Sequence, residues 1–260
     1  MQARQSMPPA IVEALDKICI ETKRRGARLW IDAEQQILQV GLDEWVIELM
    51  AKYNNGEVLV YNTIQAYLKG ARANAELHIV RAAREGWDLG IKLVRGAYIE
   101  NEVRSLIHDT KEDTDHSYND IADMLISQRL PQAEGSEKLQ FPASALMLAT
   151  HNAASAQRAM ASHRQRVDNG LPTTRLEYGQ INGMADELSC ALVESCERGV
   201  TSPVAQTIST PGVFKYVAWG SVSECMGYLY RRVVENRGAV ERTQHMVAAL
   251  KKELYRRVFG

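Results

Sequence analysis

Two cations sit inside one apolar run. In Gly90-Ile91-Lys92-Leu93-Val94-Arg95-Gly96-Ala97-Tyr98, the strand formers Ile91, Leu93 and Val94 are bounded by glycines, which predicts a short buried strand. Lys92 and Arg95 cannot both be buried there unpaired, because desolvating a lone charge is costly. Each needs an anionic partner, either a side-chain carboxylate or a ligand. Gly96 lets the backbone turn sharply or pass close to another group. A cation, a glycine and an aromatic at the C-terminal end of a strand is how α/β folds build ligand sites. The competing reading is a barrel strand with a snorkelling lysine and an exposed arginine. Polar residues recur at the ends of the other apolar runs: Asp32 and Glu34, Asn62 and Gln65, His151 and Asn152, Gln180 and Asn182, and Tyr216.

These positions alternate with helical patterns. Helices are expected at about 10–25, 43–53, 64–85, 114–126, 185–197, 222–236 and 239–258, with a further one after Asn152. Strands are expected at about 28–31, 58–62, 90–95, 145–150, 176–181 and 213–217, and a polar loop at 127–142. Strand–helix alternation argues for a parallel sheet with right-handed crossovers. No glycine-rich dinucleotide fingerprint follows a strand, and polar strand ends favour a barrel over an open doubly wound sheet. A barrel of this kind has about eight strands, and the chain opens with a helix. The expectation is therefore an α/β fold, a (β/α)8 TIM-like barrel lacking its first two strands, with residues 1–260 forming a single catalytic domain.

Composition narrows the function classes. The 260 residues are 45% hydrophobic and 24% charged with net charge -1, ordinary for a globular protein and without the basic excess of a nucleic-acid binder. Cys19, Cys190, Cys196 and Cys225 lack metal-ligand spacing, so no metal site is expected, and they read as reduced thiols of an intracellular protein. No apolar run approaches the length of a membrane span, and the first residues read as neither a signal nor a transit peptide.

Several motifs occur in one order: Asp32-Ala33-Glu34, Tyr61 to Leu68, Lys92 to Tyr98, Thr114-Asp115 with Tyr118, Thr150-His151-Asn152, Gly179 to Met184, Lys215-Tyr216-Val217, and Tyr228 to Arg232 with Glu235-Asn236. That order and wording resembles the proline dehydrogenase family, from about residue 10 to the C-terminus. Lys92 and Lys215-Tyr216 are more similar to the eukaryotic, mitochondrial branch than to the bacterial one. The resemblance implies a distorted barrel holding FAD without a covalent bond. It implies oxidation of L-proline to Δ1-pyrroline-5-carboxylate and electron transfer to a membrane quinone. It also implies peripheral membrane association on the matrix side of the inner mitochondrial membrane. By resemblance Gln65, Lys92, Val94, Gly96, Thr114 and His151 contact FAD, and Tyr98 lies toward the ribose and adenine. Asp32 and Lys92 take the catalytic positions, Arg231 and Arg232 hold the proline carboxylate, and Ile181 and Tyr216 border the ring.

Each implied role has a plainer rival. Lys92 suits the edge of a flavin that becomes anionic on reduction, but it could instead form a structural ion pair with Asp32 or Glu34. Gln65 could be a helix-start cap, and His151 a satisfied core histidine. Val222, Met226, Leu229 and Val233 form the apolar stripe of their helix, with Arg231 nearly opposite and Arg232 at the flank. On an outer-layer helix Arg231 would face solvent; across a barrel mouth the pair would face the site. A lysine that the family supplies from an early strand has no counterpart before residue 10, so the chain reads as a C-terminal portion of the catalytic domain. Its sheet edges and barrel interior are expected to be exposed. Two alternatives stay open: hydroxyproline dehydrogenase, which the tyrosine at Tyr216 disfavours, and a barrel fragment that does not retain FAD.

Overall fold

The computed structural model describes residues 6–132, 139–198, 210–235 and 240–259. Strands and helices alternate as expected: α1 (Pro9–Arg24), β1 (Leu29–Ile31), α2 (Gln36–Tyr53), β2 (Val60–Gln65), α3 (Ala71–Glu85), β3 (Leu89–Val94), α4 (Lys111–Ile126), β4 (Ser144–Ala149), α5 (Ala153–Asp168), β5 (Arg175–Ile181), α6 (Asp186–Arg198), β6 (Gly212–Tyr216), α7 (Val222–Glu235) and α8 (Val240–Phe259). A capping box of Thr110 and Asp113 starts α4, and the Asn152 side chain accepts from Ser155 to start α5.

Six strands form one sheet in the order β1-β2-β3-β4-β5-β6, and every neighbouring pair is parallel. Strand order follows chain order without reversal, which is the topology of a barrel wall and not of a doubly wound sheet. The sheet curls: Trp30 of β1 and Phe214 of β6 bring their ring centroids to 6.5 Å, and the Arg28 guanidinium lies 5.2 Å from the Phe214 ring.

Alternation along the strands separates two cores. Leu29, Val60, Ile64, Leu89, Ile91, Leu93, Leu146, Leu148, Leu176, Tyr178 and Val213 face outward into the layer shared with the helices. Trp30, Tyr61, Ala145 and Met147 face inward and form a separate cluster. The interior is thus not the exposed surface expected from six strands: Tyr61 is 0%, Met147 5% and Glu177 1% exposed. Large aromatics reaching inward from β1, β2 and β6 fill the space. Gly90 is required on the same face, since a Cβ there would come within 3.1 Å of the Tyr61 Cα and closer still to neighbouring atoms of β2.

Three boundaries differ from expectation. Gln65 closes β2 and does not open a helix; α3 begins only at Ala71, after a turn. All six residues of β2 are buried, the polar Asn62, Thr63 and Gln65 included, so neither face of the strand carries the exposed polar signal that would have marked its end. The second helix starts at Gln36 instead of 43, and α4 at Lys111 instead of 114. The expected stripe of α7 is not buried: Val222, Met226 and Leu229 are 81%, 58% and 46% exposed.

Candidate active site

The inward positions at the C-terminal ends of the strands are Asp32, Gln65, Lys92, Val94, Ala149, Gly179, Ile181 and Tyr216, continuing the faces of Trp30, Tyr61, Gly90 and Met147. Sheet register alone therefore gathers six of the sequence-nominated residues at one mouth. Lys92 meets the Asp32 carboxylate across the mouth, with the lysine side chain 18% and the aspartate 70% exposed. The amide nitrogen of Gln65 donates to the Glu34 carbonyl at 2.9 Å. Tyr98 donates to the Ala33 carbonyl at 3.2 Å and the Glu34 carboxylate at 3.0 Å, tying the loop after β3 to the loop after β1. Burial, then the Glu34 contact, raise the Tyr98 phenol above its ordinary value. Gly96 has φ 139°, and a Cβ there would collide with the Tyr67 ring, so the turn after β3 admits no side chain.

Across the mouth, Tyr216 and Tyr228 stack at 5.5 Å between centroids, and the Arg232 guanidinium lies 5.2 Å from the Tyr228 ring. Burial pushes the Tyr228 phenol up to about 12, with Tyr216 and Asp32 adding to the rise and the Arg232 charge opposing it. The Tyr98 phenol also feels the charges of Asp32 and Arg232. A carboxylate, two cations and three phenols thus share one opening. Arg231 lies on α7, but its side chain falls outside the described residues.

His151 sits on the β4–α5 turn, and its Nε2 accepts from the Ile181 backbone at 3.1 Å, so that nitrogen carries no proton. Thr114 occupies the first turn of α4 and donates to the Thr110 carbonyl at 3.3 Å. Other polar strand-end residues point away from the mouth. Asn62 bonds to Asp43 and His78 under α2 and α3, Gln180 accepts from Ser189 of α6, and Asn152 caps α5. Arg95 faces outward too, onto Asp115. Tyr228 carries no role in the sequence analysis beyond its motif; its spacing of one helical turn before Arg232 is the signal that points to it.

Between Val94 and Ile181 the inward residues are Ala149 and Gly179, side by side in register. Small side chains there, one residue pair beyond the Lys92–Met147 level, would let a flat ring with polar edges approach the sheet.

The family model described as proline dehydrogenase matches residues 2–245. The chain belongs to the proline dehydrogenase family. It is 35% identical over 262 residues to the probable mitochondrial proline dehydrogenase of Schizosaccharomyces pombe, covering 95% of this chain and 50% of that protein. It is 33% identical over 258 residues to mitochondrial proline dehydrogenase 1 of Arabidopsis thaliana, covering 95% of this chain and 46% of the relative. The chain spans about half the length of these relatives, or less. A variant of Bradyrhizobium japonicum proline utilization A superposes with a TM-score of 0.65 at 22% identity, over 86% of this chain and 21% of that one, and shares the barrel fold.

Proposed function

We propose that the protein to which this chain belongs oxidises L-proline to Δ1-pyrroline-5-carboxylate, with FAD bound at the mouth of the barrel. The observation that carries the proposal is the placement of Lys92, Asp32, Gln65, Tyr216 and Arg232 around one opening in a chain of this family. The mouth suits a flavin: Lys92 and Gln65 would meet its polar edge, Val94 would line it, Ile181 would stand between it and the substrate ring, and Ala149 and Gly179 leave it space. Bound FAD supplies the two-electron acceptor that no side chain provides.

The chain's own residues do the rest. Arg232 holds the proline carboxylate through its planar fork, and the Tyr228 ring beneath keeps that fork aimed. Tyr216 closes one side of the pyrrolidine ring, which fixes its orientation and helps exclude water. Lys92 places positive charge where negative charge builds up during oxidation. Asp32 keeps Lys92 directed inward and stands near the substrate amine. His151 and Thr114 belong to the cofactor side, and Gly96 to the turn that carries Tyr98. Arg231 would join Arg232 at the carboxylate.

The mitochondrial names of the relatives support the same compartment for this protein. A membrane quinone as final acceptor and residues 1–260 as one catalytic domain belong to the same proposal. Purified full-length protein loaded with FAD should lose flavin absorbance when L-proline is added under argon. Unchanged absorbance would sink the assignment. Hydroxyproline oxidation is the second reading; a Tyr216 phenol beside the substrate ring would leave no space for a 4-hydroxyl and favours proline.

A further inference from the structure

Lys92 and Arg95 leave the same strand in opposite directions, and Arg95 has the better-defined surroundings. Its Nε donates to the Asp115 carboxylate at 2.7 Å, and a second nitrogen lies 2.6 Å from the same oxygen. That second nitrogen also donates to the Ser155 hydroxyl at 2.9 Å, and the third donates to the Thr150 hydroxyl at 2.8 Å. Beneath it, 4.4 Å away, lies the ring of Tyr118, which is 0% exposed. Lys111 holds the second oxygen of Asp115. One guanidinium therefore joins the end of β3, the first turn of α4, the end of β4 and the first turn of α5.

Those four segments carry residues of the proposed cofactor side. Val94 precedes Arg95, and Thr114 precedes Asp115. The Thr150 hydroxyl also accepts from the Asn152 backbone at 3.0 Å, which shapes the turn bearing His151. His151 in turn holds the Ile181 backbone at the end of β5. The connection reaches only this half of the mouth; Asp32, Tyr216 and Arg232 lie outside it.

We propose that Arg95 is a positioning residue for the cofactor: it sets Val94, Thr114, His151 and Ile181 relative to one another and so makes one binding wall from four segments. The proposal rests on the reading of the mouth as a flavin site. A lysine could keep the charge but could not engage Asp115, Thr150 and Ser155 together in one plane.

The test measures FAD dissociation constants by flavin fluorescence, melting temperature, and KM for L-proline at saturating FAD, in full-length protein. Arg95→Lys should weaken FAD binding by roughly tenfold or more, the size seen when an outer partner of a bound group is removed. Its KM for L-proline should stay within about twofold of wild type once FAD saturates, since the carboxylate side is not on this connection. Thr150→Val removes one strut only and should weaken FAD in the same direction by less. It decides the matter if Arg95→Lys does not fold. Lower melting temperature with unchanged FAD affinity in whichever variant folds would make Arg95 merely structural and overturn the inference. Wild-type protein that binds no FAD would overturn the functional reading itself, and this inference with it.

Discussion

The inner face of the sheet carries an ion pair at each end, and the two ends treat it differently. At the N-terminal end Glu177 contacts Arg28, lies 3.0 Å from Arg175 and accepts from the Tyr61 hydroxyl at 3.3 Å. Its side chain is 1% exposed, and its partner Arg28 lies against the rings of Trp30 and Phe214. At the C-terminal end Lys92 meets an Asp32 that is 70% exposed, beside Ala149 and Gly179 where the other end has aromatics. The chemistry is the same, a cation facing a carboxylate inside a curled sheet. Packing decides its use. Where bulky rings remove water, the pair closes the interior; where small residues leave space, the pair stays wet and can be rearranged by a ligand.

The contrast breaks most visibly at Glu177. Glu177→Ala should leave the Arg28 guanidinium, whose side chain is 18% exposed, facing the interior without its counter-charge, at a cost of about 3–5 kcal/mol of unfolding free energy, while the more exposed Arg175 can turn to solvent. Urea unfolding of the wild type and variant checks this. A loss under about 1 kcal/mol would mean that water reaches the N-terminal end and that the two ends do not differ.

Arg232 tests the other end. Arg232→Met should lower kcat/KM for L-proline by the equivalent of about 2–5 kcal/mol, mostly through KM, with flavin occupancy kept. Steady-state kinetics beside the flavin-to-protein absorbance ratio reads both. An unchanged KM at full occupancy would remove Arg232 from the substrate site.

How much of this was legible beforehand follows from the same contrast. Strand order, the mouth and most inward residues could be anticipated, because period-two alternation and polar strand ends are local signals. The direction of Asn62, Gln180 and Asn152 could not, because a polar side chain at a strand end serves a helix cap or an interhelical network equally well. The filled interior was also hidden. Nothing near Trp30 or Phe214 in the sequence says that β1 and β6 curl until their rings meet. The exposed stripe of α7 shows that periodicity finds the helix but not the face it presents: Tyr228 and Arg232, one turn apart and beside Tyr216, mark the side turned to the mouth, the orientation that only the resemblance implies.

Acid should stress the packed shell before it stresses the mouth. His163 of α5 is 1% exposed, and burial presses its pKa from 6.5 down to about 4, against a backbone hydrogen bond to Thr174. The unfolded chain binds this proton more readily than the folded one. Stability is therefore full above about pH 6.5 and declines as pH falls toward about 4, by at most about 3 kcal/mol. Melting curves between those limits should show a decline that His163→Gln flattens. Parallel pH profiles in the two proteins would refute the assignment.

A smaller effect concerns selectivity. Under the proposed function the Tyr216 phenol takes the space that a 4-hydroxyl needs, so Tyr216→Ser should narrow the preference for L-proline over trans-4-hydroxy-L-proline by about 1–3 kcal/mol. The ratio of kcat/KM for the two substrates is the measurement, and an unchanged ratio counts against a ring-facing Tyr216.

The smallest expected effect is the most discriminating. Lys92→Met removes the cation of the mouth pair but leaves Asp32 in water, so no unpaired charge is buried. The methionine chain follows the same inward path and occupies most of the space of the lysine stem. Unfolding free energy, measured without cofactor, should then move by less than about 1 kcal/mol, the range of exposed pairs. Flavin bleaching by L-proline should nevertheless fall steeply, because the positive charge at the cofactor edge is gone. A destabilisation near that of Glu177→Ala would show that the mouth pair is as structural as the buried one. Lys92 would then be a brace of the barrel, and the chemistry at the mouth would have to be carried by Arg232 and the tyrosines alone.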